Sequence, residues 1–345
     1  MPSIRSLAFL TPGNFADDDP YDGLESTLAL FAYGEQLGYR GAWIRQRHLE
    51  HGVSSAATFL AAATQRTATI ELGTAVIPIG YESPFRLGED LATVDVLSRG
   101  RLQAGFSAGT PPHAELLAEK VFDGDWRDVD FSHARIERLA DGLRGTYLGD
   151  EDTSIHSPGN VQRPRLQPHS PGLVDRLWYG AASRRSSVWA GERGLHLLTG
   201  NIVAGEDTDD FVTAQRANLA AFRAAWSGAH APRVALGRVI VPTDGADRAT
   251  RERYREYARS RHERTLAPAG PRRTLFAPDL VGTSDEIVER LHADAAVAEV
   301  DELRLELPYE FTAADYEQIL HDTATLVAPQ LGWLPAATGV AVAAR

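Results

Sequence analysis

The stretch that decides the fold reads IELGTAVIPI (residues 70–79), ESPFRLGEDLATVDVLSRG (82–100) and RLQAGFSAG (101–109). Two apolar runs rich in β-forming residues flank a segment with helical spacing, which begins at Ser83 and Pro84 and ends at Gly100. A strand, a helix and a second strand in this order predict two parallel strands joined by a crossover. Both runs end in small residues, which let a flat ligand approach the backbone closely.

Strand and helix patterns alternate along the rest of the chain. The other predicted strands cover residues 4–10, 39–44, 177–182, 195–199, 234–241 and 303–307. Helices are predicted over 22–38, 56–65, 134–147, 186–193, 209–226 and 248–265, and after caps at Thr283 and Thr312. Eight strands alternating with helices favour an α/β fold of the (β/α)8 TIM-barrel type. We expect one domain over residues 1–334, loop insertions at 111–131, 149–176 and 268–279, and a flexible tail over 335–345.

Composition excludes several classes of protein. The formal net charge is −12, which disfavours a nucleic-acid or anionic-membrane surface, and no apolar run is long enough to span a bilayer. Cysteine is absent, so there is no disulfide framework and no thiolate nucleophile. His48 and His51 have the spacing of metal ligands, but no third ligand lies nearby, and we predict no metal site. A cytoplasmic location is expected.

In a barrel of this type the functional site lies at the carboxyl ends of the strands. These positions carry many small residues, one Arg/His cluster and few carboxylates, which suits a planar cofactor better than hydrolysis by paired carboxylates. The last strand, ELRLEL, alternates leucine with charged residues. Arg304 and Glu306 are therefore expected to point into the barrel, either as a buried ion pair or as contacts to a substrate.

Four segments together resemble the bacterial luciferase-like flavin monooxygenases. They are GTAVIPI (73–79) with ATVDVLSRGRLQAGFSAG (92–109), GYRGAWIRQRHLEHG (38–52), WYGAASRRSSVWAGERGLHLLTG (178–200), and VGTSDEIVERL (281–291) with DELRLELP (301–308). The resemblance runs over residues 4–334. It implies a (β/α)8 barrel, usually dimeric, that uses reduced flavin or the deazaflavin F420.

The resemblance also assigns residues to the cofactor. It implies a cis peptide bond at Ala75–Val76 beneath the flavin ring and a phosphate site at the loop of Ser183, Arg184 and Ser186, where a helix N-terminus suits an anion. The family's phosphate-binding arginine after the fourth strand is replaced here by Ala108, so that Arg184 or Arg185 could substitute for it. The other cofactor contacts are expected at small strand-end residues: Ser107, Gly109, Ala182 and Asn201.

Arg47 and His48 occupy the positions of the family's histidine pair, the first of which acts in acid–base chemistry. Arg47 cannot act as a base, but it could pair with the oxygenated cofactor or with an anionic substrate. His48 could titrate near neutral pH, or it could be an incidental histidine at the rim. These two residues are the predicted catalytic groups.

The resemblance predicts a monooxygenase that combines reduced FMN, O2 and a small organic substrate. The chain has no fingerprint for NAD(P)H, so a separate NAD(P)H:flavin reductase would supply the reduced FMN. A homodimer is expected, and residues 268–279 are a candidate lid. The alternatives are an F420-dependent oxidoreductase, a barrel that binds flavin without catalysis, and a serine hydrolase with its nucleophile in Gly105-Phe106-Ser107-Ala108-Gly109.

Overall fold

Eight parallel strands close into a barrel in the computed structural model of the chain, which describes residues 4–335. The strands are β1 (Ser6–Thr11), β2 (Gly41–Ile44), β3 (Glu71–Thr74), β4 (Leu102–Ser107), β5 (Leu177–Gly180), β6 (His196–Thr199), β7 (Val234–Arg238) and β8 (Glu302–Glu306). Each strand pairs with the next one along the chain, and β8 returns to pair with β1. The predicted (β/α)8 fold is confirmed.

Helices surround this barrel. They are α1 (Pro20–Gln36), α2 (Ala56–Thr64), α3 (Pro84–Ser98), α4 (Ala114–Val121), α5 (Ala134–Leu143), α6 (Arg184–Glu192), α7 (Phe211–Ala225), α8 (Arg248–Ser260), α9 (Ser284–Ala293) and α10 (Ala313–Asp322). The main core lies between strands and helices, where outward-facing strand residues such as Leu303 and Leu305 are fully buried. None of the helices within residues 4–335 is long and apolar enough to cross a bilayer.

Alternate strand residues face the barrel interior. Trp43 and Trp178 meet there edge to face, with ring centroids 5.3 Å apart. Trp43 lies on Gly73, where a Cβ would come within 2.2 Å of the indole ring. The Arg304 guanidinium lies 5.7 Å from the centre of the Trp43 ring, and Glu306 lies against Gly200 and Gly237, so the predicted inward orientation of both is confirmed.

The chain bends sharply after β3, where the Ala75–Val76 peptide bond is cis, as the resemblance implies. Past the bend, the chain pairs with the end of β4. At the bend, the hydroxyl of Thr74 links β3 to β4. It accepts a hydrogen bond from the Gly105 N–H (2.8 Å) and donates one to the Gly105 carbonyl (2.9 Å). A Cβ at Gly105 would lie 2.3 Å from the Thr74 carbonyl oxygen, so the crossing requires glycine here.

Several predicted helix boundaries were wrong. Helix α1 begins at Pro20, with Asp19 as its N-cap. Helix α3 begins at Pro84 as predicted, but it ends in a left-handed Arg99 (φ 59°) before Gly100. Helix α6 begins two residues earlier than predicted, because Ser183 and Ser186 form a reciprocal capping box. Helix α4, inside the predicted insertion 111–131, was not predicted.

Some predicted strands and loops were also wrong. The seventh strand ends at Arg238, and residues Ile240–Pro242 form a separate parallel pair with Leu280–Gly282. The candidate lid contains a strand, Thr274–Phe276, which pairs with Ile202–Ala204. Leu275 anchors this strand in a small core of its own, so the segment is tied to the barrel rim. Apart from Pro335, the predicted tail lies outside the described residues, and the single domain over 1–334 stays a prediction.

Candidate active site

One half of the barrel mouth is built of small residues. At Gly180, which ends β5, a Cβ would lie 3.0 Å from the Val76 side chain. At Gly200 and Gly237, a Cβ would lie 2.6 Å and 2.1 Å from Oε1 of Glu306. Because these three positions carry no side chain, the side chains of Val76 and Glu306 can occupy the centre of the mouth. We define the small-residue half of the mouth as the cis bond together with the ends of β4, β5 and β6.

The opposite half carries charge. Arg45, just after β2, donates from Nη1 to the Tyr309 hydroxyl (2.6 Å) and from Nη2 to Oε2 of Glu306 (3.2 Å). Strands β2 and β8 lie on either side of β1, so the Arg45 side chain crosses above the end of β1. Arg47 lies beside it, with Nη2 3.4 Å from the same hydroxyl. The polar half is defined by these side chains and His48: Arg45, Arg47, His48, Glu306 and Tyr309.

A second guanidinium lies beneath Glu306. Nη2 of Arg304 is 3.7 Å from Oε1 of Glu306, and the guanidinium carbon lies 5.7 Å from the centre of the Trp43 ring. Nε and Nη1 of Arg304 are buried without a hydrogen-bond partner among residues 4–335. Glu306 thus lies between Arg45 and Arg304, and the buried carboxylate of Glu302 also acts on Arg304.

Gln46 fixes the protonation of His48. The Gln46 side-chain oxygen accepts from the buried N–H of Ala56 (3.1 Å), so the amide nitrogen must face Glu82 (2.6 Å) and Nε2 of His48 (3.3 Å). Because that nitrogen can only donate, the hydrogen-bond network assigns the lone pair of His48 to Nε2 and its proton to Nδ1. Burial lowers the pKa of His48 below its usual 6.5, and the Glu82 carboxylate offsets this only in part. His48 is therefore a neutral imidazole that can donate a hydrogen bond from Nδ1.

The predicted phosphate loop is an N-terminal helix cap in this structure. The hydroxyl of Ser183 accepts from the Ser186 N–H (3.2 Å), and the Ser186 hydroxyl accepts from the Ser183 N–H (3.1 Å). The backbone N–H of Arg184 donates to the Glu206 carboxylate (3.0 Å), and its exposed guanidinium pairs with Asp207. An anion at this helix end would compete with these two carboxylates.

The remaining predicted cofactor residues lie around the small-residue half. Ser107 is half-buried at the end of β4, and the exposed Gly109 donates its N–H to the Phe131 carbonyl (2.8 Å). The Ala182 carbonyl accepts from the Ala204 N–H (2.7 Å), and Asn201 is buried. Helix α4 begins only at Ala114, whereas a hydrolase elbow requires a helix directly after the serine, so the serine-hydrolase alternative was wrong.

The segment of residues 111–131 forms a wall over the ends of β3 and β4. Tyr81 donates its hydroxyl to the Pro112 carbonyl, and its ring packs edge-on to His48 at 5.1 Å. Phe131 contacts Phe122 and Trp126, with ring centroids 5.9 Å and 6.4 Å apart. The wall thus holds Tyr81, through Pro112, with its ring beside the predicted catalytic histidine.

Sequence reasoning assigned no role to four residues that shape the site, namely Arg45, Gln46, Glu82 and Tyr309. Gln46 and Arg45 lie in the same RQRH run as Arg47 and His48, and a polar run after a buried strand was the available signal. Nothing near Glu82 or Tyr309 in the sequence indicates which residues they meet.

Comparison with known proteins identifies the family. A family model described as luciferase-like monooxygenase matches residues 4–302. The chain belongs to the luciferase-like monooxygenase family. The predicted resemblance is confirmed.

Individual relatives show how far the likeness extends. Limonene 1,2-monooxygenase of Rhodococcus erythropolis is 37% identical over 189 residues, which cover 51% of this chain and 48% of that protein. The match therefore spans about half the length of that relative.

Two solved structures share the barrel. The oxygenating constituent of 3,6-diketocamphane monooxygenase from Pseudomonas putida, in complex with FMN, has a TM-score of 0.63 at 14% identity and covers 95% of this chain and 99% of its own. An F420-dependent secondary alcohol dehydrogenase has a TM-score of 0.63 at 13% identity, with coverage of 95% and 99%. At these identities the likeness shows the luciferase-like fold alone.

Proposed function

We propose that this protein is a monooxygenase that uses reduced FMN and O2 to oxidise a small organic substrate. The observation that carries the proposal is the divided mouth of a luciferase-like barrel, in which a small-residue half faces a polar half. The residues present fit a flavin, because small strand-end residues leave room for a flat ring, with open space around Gly109, and a phosphate can replace Glu206 at the Arg184 N–H at the start of α6. Reduced flavin, when bound, supplies the electrons that activate O2.

The roles we propose follow the two halves. Ala75 and Val76 contact the ring, while the phosphate binds at the start of α6. The ring's edges meet small residues around the rim: Ser107, Gly109, Ala182 and Asn201. His48 holds the exchangeable proton at Nδ1, and the wall of residues 111–131 excludes water from the reacting atoms.

The phosphate assignment predicts a selective loss of affinity. Arg184→Ala removes a charge-assisted donor and leaves Glu206 and Asp207 facing the phosphate without a counter-charge. We expect reduced FMN to bind about 10- to 100-fold more weakly, while riboflavin, which lacks the phosphate, binds as before. Equilibrium titration of both ligands measures this. Arg193→Ala, at the other end of the same helix, is the matched control.

Equal loss of FMN and riboflavin affinity in Arg184→Ala would show that the loop is only structural. If Arg185→Ala weakens the binding of reduced FMN and Arg184→Ala does not, the phosphate contact belongs to Arg185.

A separate reductase is part of the proposal. The Pseudomonas structure is described as an oxygenating constituent, which supports a divided system. We expect the purified chain with FMN to leave NADH and NADPH unoxidised and to consume O2 only when a flavin reductase is added. Oxidation of NAD(P)H by the chain alone would contradict this part.

We also propose a homodimer through α3. Phe85 and Val96 lie three helical turns apart on one face of α3, with Leu97 beside them, and they are 41%, 50% and 49% exposed. We expect light scattering to give twice the chain mass at micromolar concentration, and Leu97→Asp to shift the protein towards monomer. A monomeric wild-type protein would rule out this assembly.

F420 is the alternative cofactor. Glu206 and Asp207 lie beside the proposed phosphate site, where the acidic tail of F420 would meet like charges. The FMN phosphate meets the same two carboxylates but brings no further negative charge beyond it.

A further inference from the structure

Three guanidiniums lie in or beneath the polar half, those of Arg45, Arg47 and Arg304. The carboxylates around them are Glu306, Glu302, whose charge also acts on Arg304, Glu82 beside His48, and Glu50, which lies 3.9 Å from Nε of Arg47 at the rim. The whole chain has a net charge of −12. In so acidic a protein, a guanidinium that keeps donors free at the mouth favours an anionic ligand there.

The three arginines are not equally available. Arg45 is committed to Tyr309 and Glu306 at 2.6 Å and 3.2 Å, and Arg304 lies in the interior. Arg47, in contrast, has only a 3.4 Å contact to the Tyr309 hydroxyl and the 3.9 Å contact to Glu50 among the described residues. Its side chain is 33% exposed. The guanidinium of Arg47 therefore keeps donors for a ligand.

Tyr309 supplies a second donor at the same place. Its phenol oxygen accepts from Arg45 and from Arg47. The hydroxyl proton must then point away from both guanidiniums, because they can only donate. Together, Arg47 and Tyr309 offer an N–H and an O–H towards one acceptor group.

We propose that Arg47 and Tyr309 bind an anionic group of the substrate, so that the substrates are small organic carboxylic acids. The inference rests on the proposed monooxygenase function and adds the substrate class. The backbone N–H of Arg47 donates to the Val53 carbonyl at 2.8 Å, which fixes the loop that carries the guanidinium. The small-residue half across the mouth stays free for the flavin ring, and the carboxylate anchors the substrate opposite it.

Two probes of equal shape test this inference. 2-Naphthoate and 2-naphthamide differ in charge but hardly in size, and their binding to the protein can be measured by calorimetry. We expect wild-type protein to bind the carboxylate at least about tenfold more tightly than the amide. Arg47→Gln is expected to abolish this preference, and Tyr309→Phe to reduce it. Arg66→Gln, which alters an exposed pair with Glu25, should leave it unchanged.

Reduced FMN binding is measured on the same variants, since the negative charge could also belong to the reduced cofactor. If Arg47→Gln weakens reduced FMN and leaves the naphthoate preference intact, the cation serves the cofactor and the inference is overturned. The inference is also overturned if wild-type protein binds the two probes with equal affinity. It is overturned as well if a folded Arg47→Gln protein loses affinity for both probes to the same extent. Protein that prefers naphthoate but binds no reduced FMN would instead contradict the proposed function.

Discussion

Replacing Glu306 with glutamine is expected to lower the free energy of unfolding by about 3 kcal/mol. The carboxylate lies between Arg45 and Arg304, and the glutamine removes the negative charge that both guanidiniums contact. The side chain of Arg304 is only 4% exposed, so water cannot replace the lost partner there. The side chain of Arg45 is 21% exposed, which places the expected cost at the lower end of the range for broken buried pairs.

Urea denaturation measures this cost as a lower midpoint with an unchanged slope. Glu299 is a suitable control, because it also bridges two arginines, Arg216 and Arg223, but at the surface. Glu299→Gln is expected to cost less than about 1 kcal/mol, since exposed pairs are screened by water and salt. An equally small effect at both positions would show that Glu306 is not the counter-charge of the interior.

Replacing His48 with alanine is expected to slow substrate oxidation by about 10²- to 10⁴-fold while the fold stays intact. The half-buried imidazole lies at the mouth with its proton held at Nδ1, so its loss removes a positioned hydrogen-bond donor. His48→Asn can place an amide N–H near the Nδ1 position and should keep more of the rate than His48→Gln. Steady-state kinetics with a reductase and a turned-over substrate provide the measurement.

We also expect the oxidation rate to fall at acidic pH. We expect neutral His48 to be the active form, and burial lowers its pKa below 6.5. Activity is then full above that pKa and falls as the pH drops through it, so the acid limb lies below pH 6.5. His51, three residues further along and 63% exposed, is the control: His51→Ala should match wild type. An unchanged rate in His48→Ala would move the catalytic group elsewhere.

Local features were the most predictable part of the fold. The caps at Thr283 and Thr312 are both present, because each capping box joins residues only three apart. The alternation in ELRLEL also placed Arg304 and Glu306 inside the barrel, since a closed sheet has only an inner and an outer face. Helix α4 was missed, because it is short and buries only Ala114 and Ala118.

The site was harder to predict than the fold. Arg45 meets Glu306 and Tyr309 across 261 and 264 positions of sequence, and only closure of the barrel brings them together. The capping role of Ser183 and Ser186 was foreseeable from the sequence, but the carboxylates of Glu206 and Asp207 beside them were not. Such contacts depend on how separate loops meet at the rim, which no local pattern records.

The central claim is that this barrel binds reduced FMN, and anaerobic titration of the purified protein tests it most directly. Reduced FMN, oxidised FMN and reduced F420 are each titrated into the same preparation, and bound ligand is measured by equilibrium dialysis. We predict that reduced FMN binds at least about tenfold more tightly than reduced F420 and more tightly than oxidised FMN. Preferential binding of reduced F420, or no binding of reduced FMN, would contradict the account.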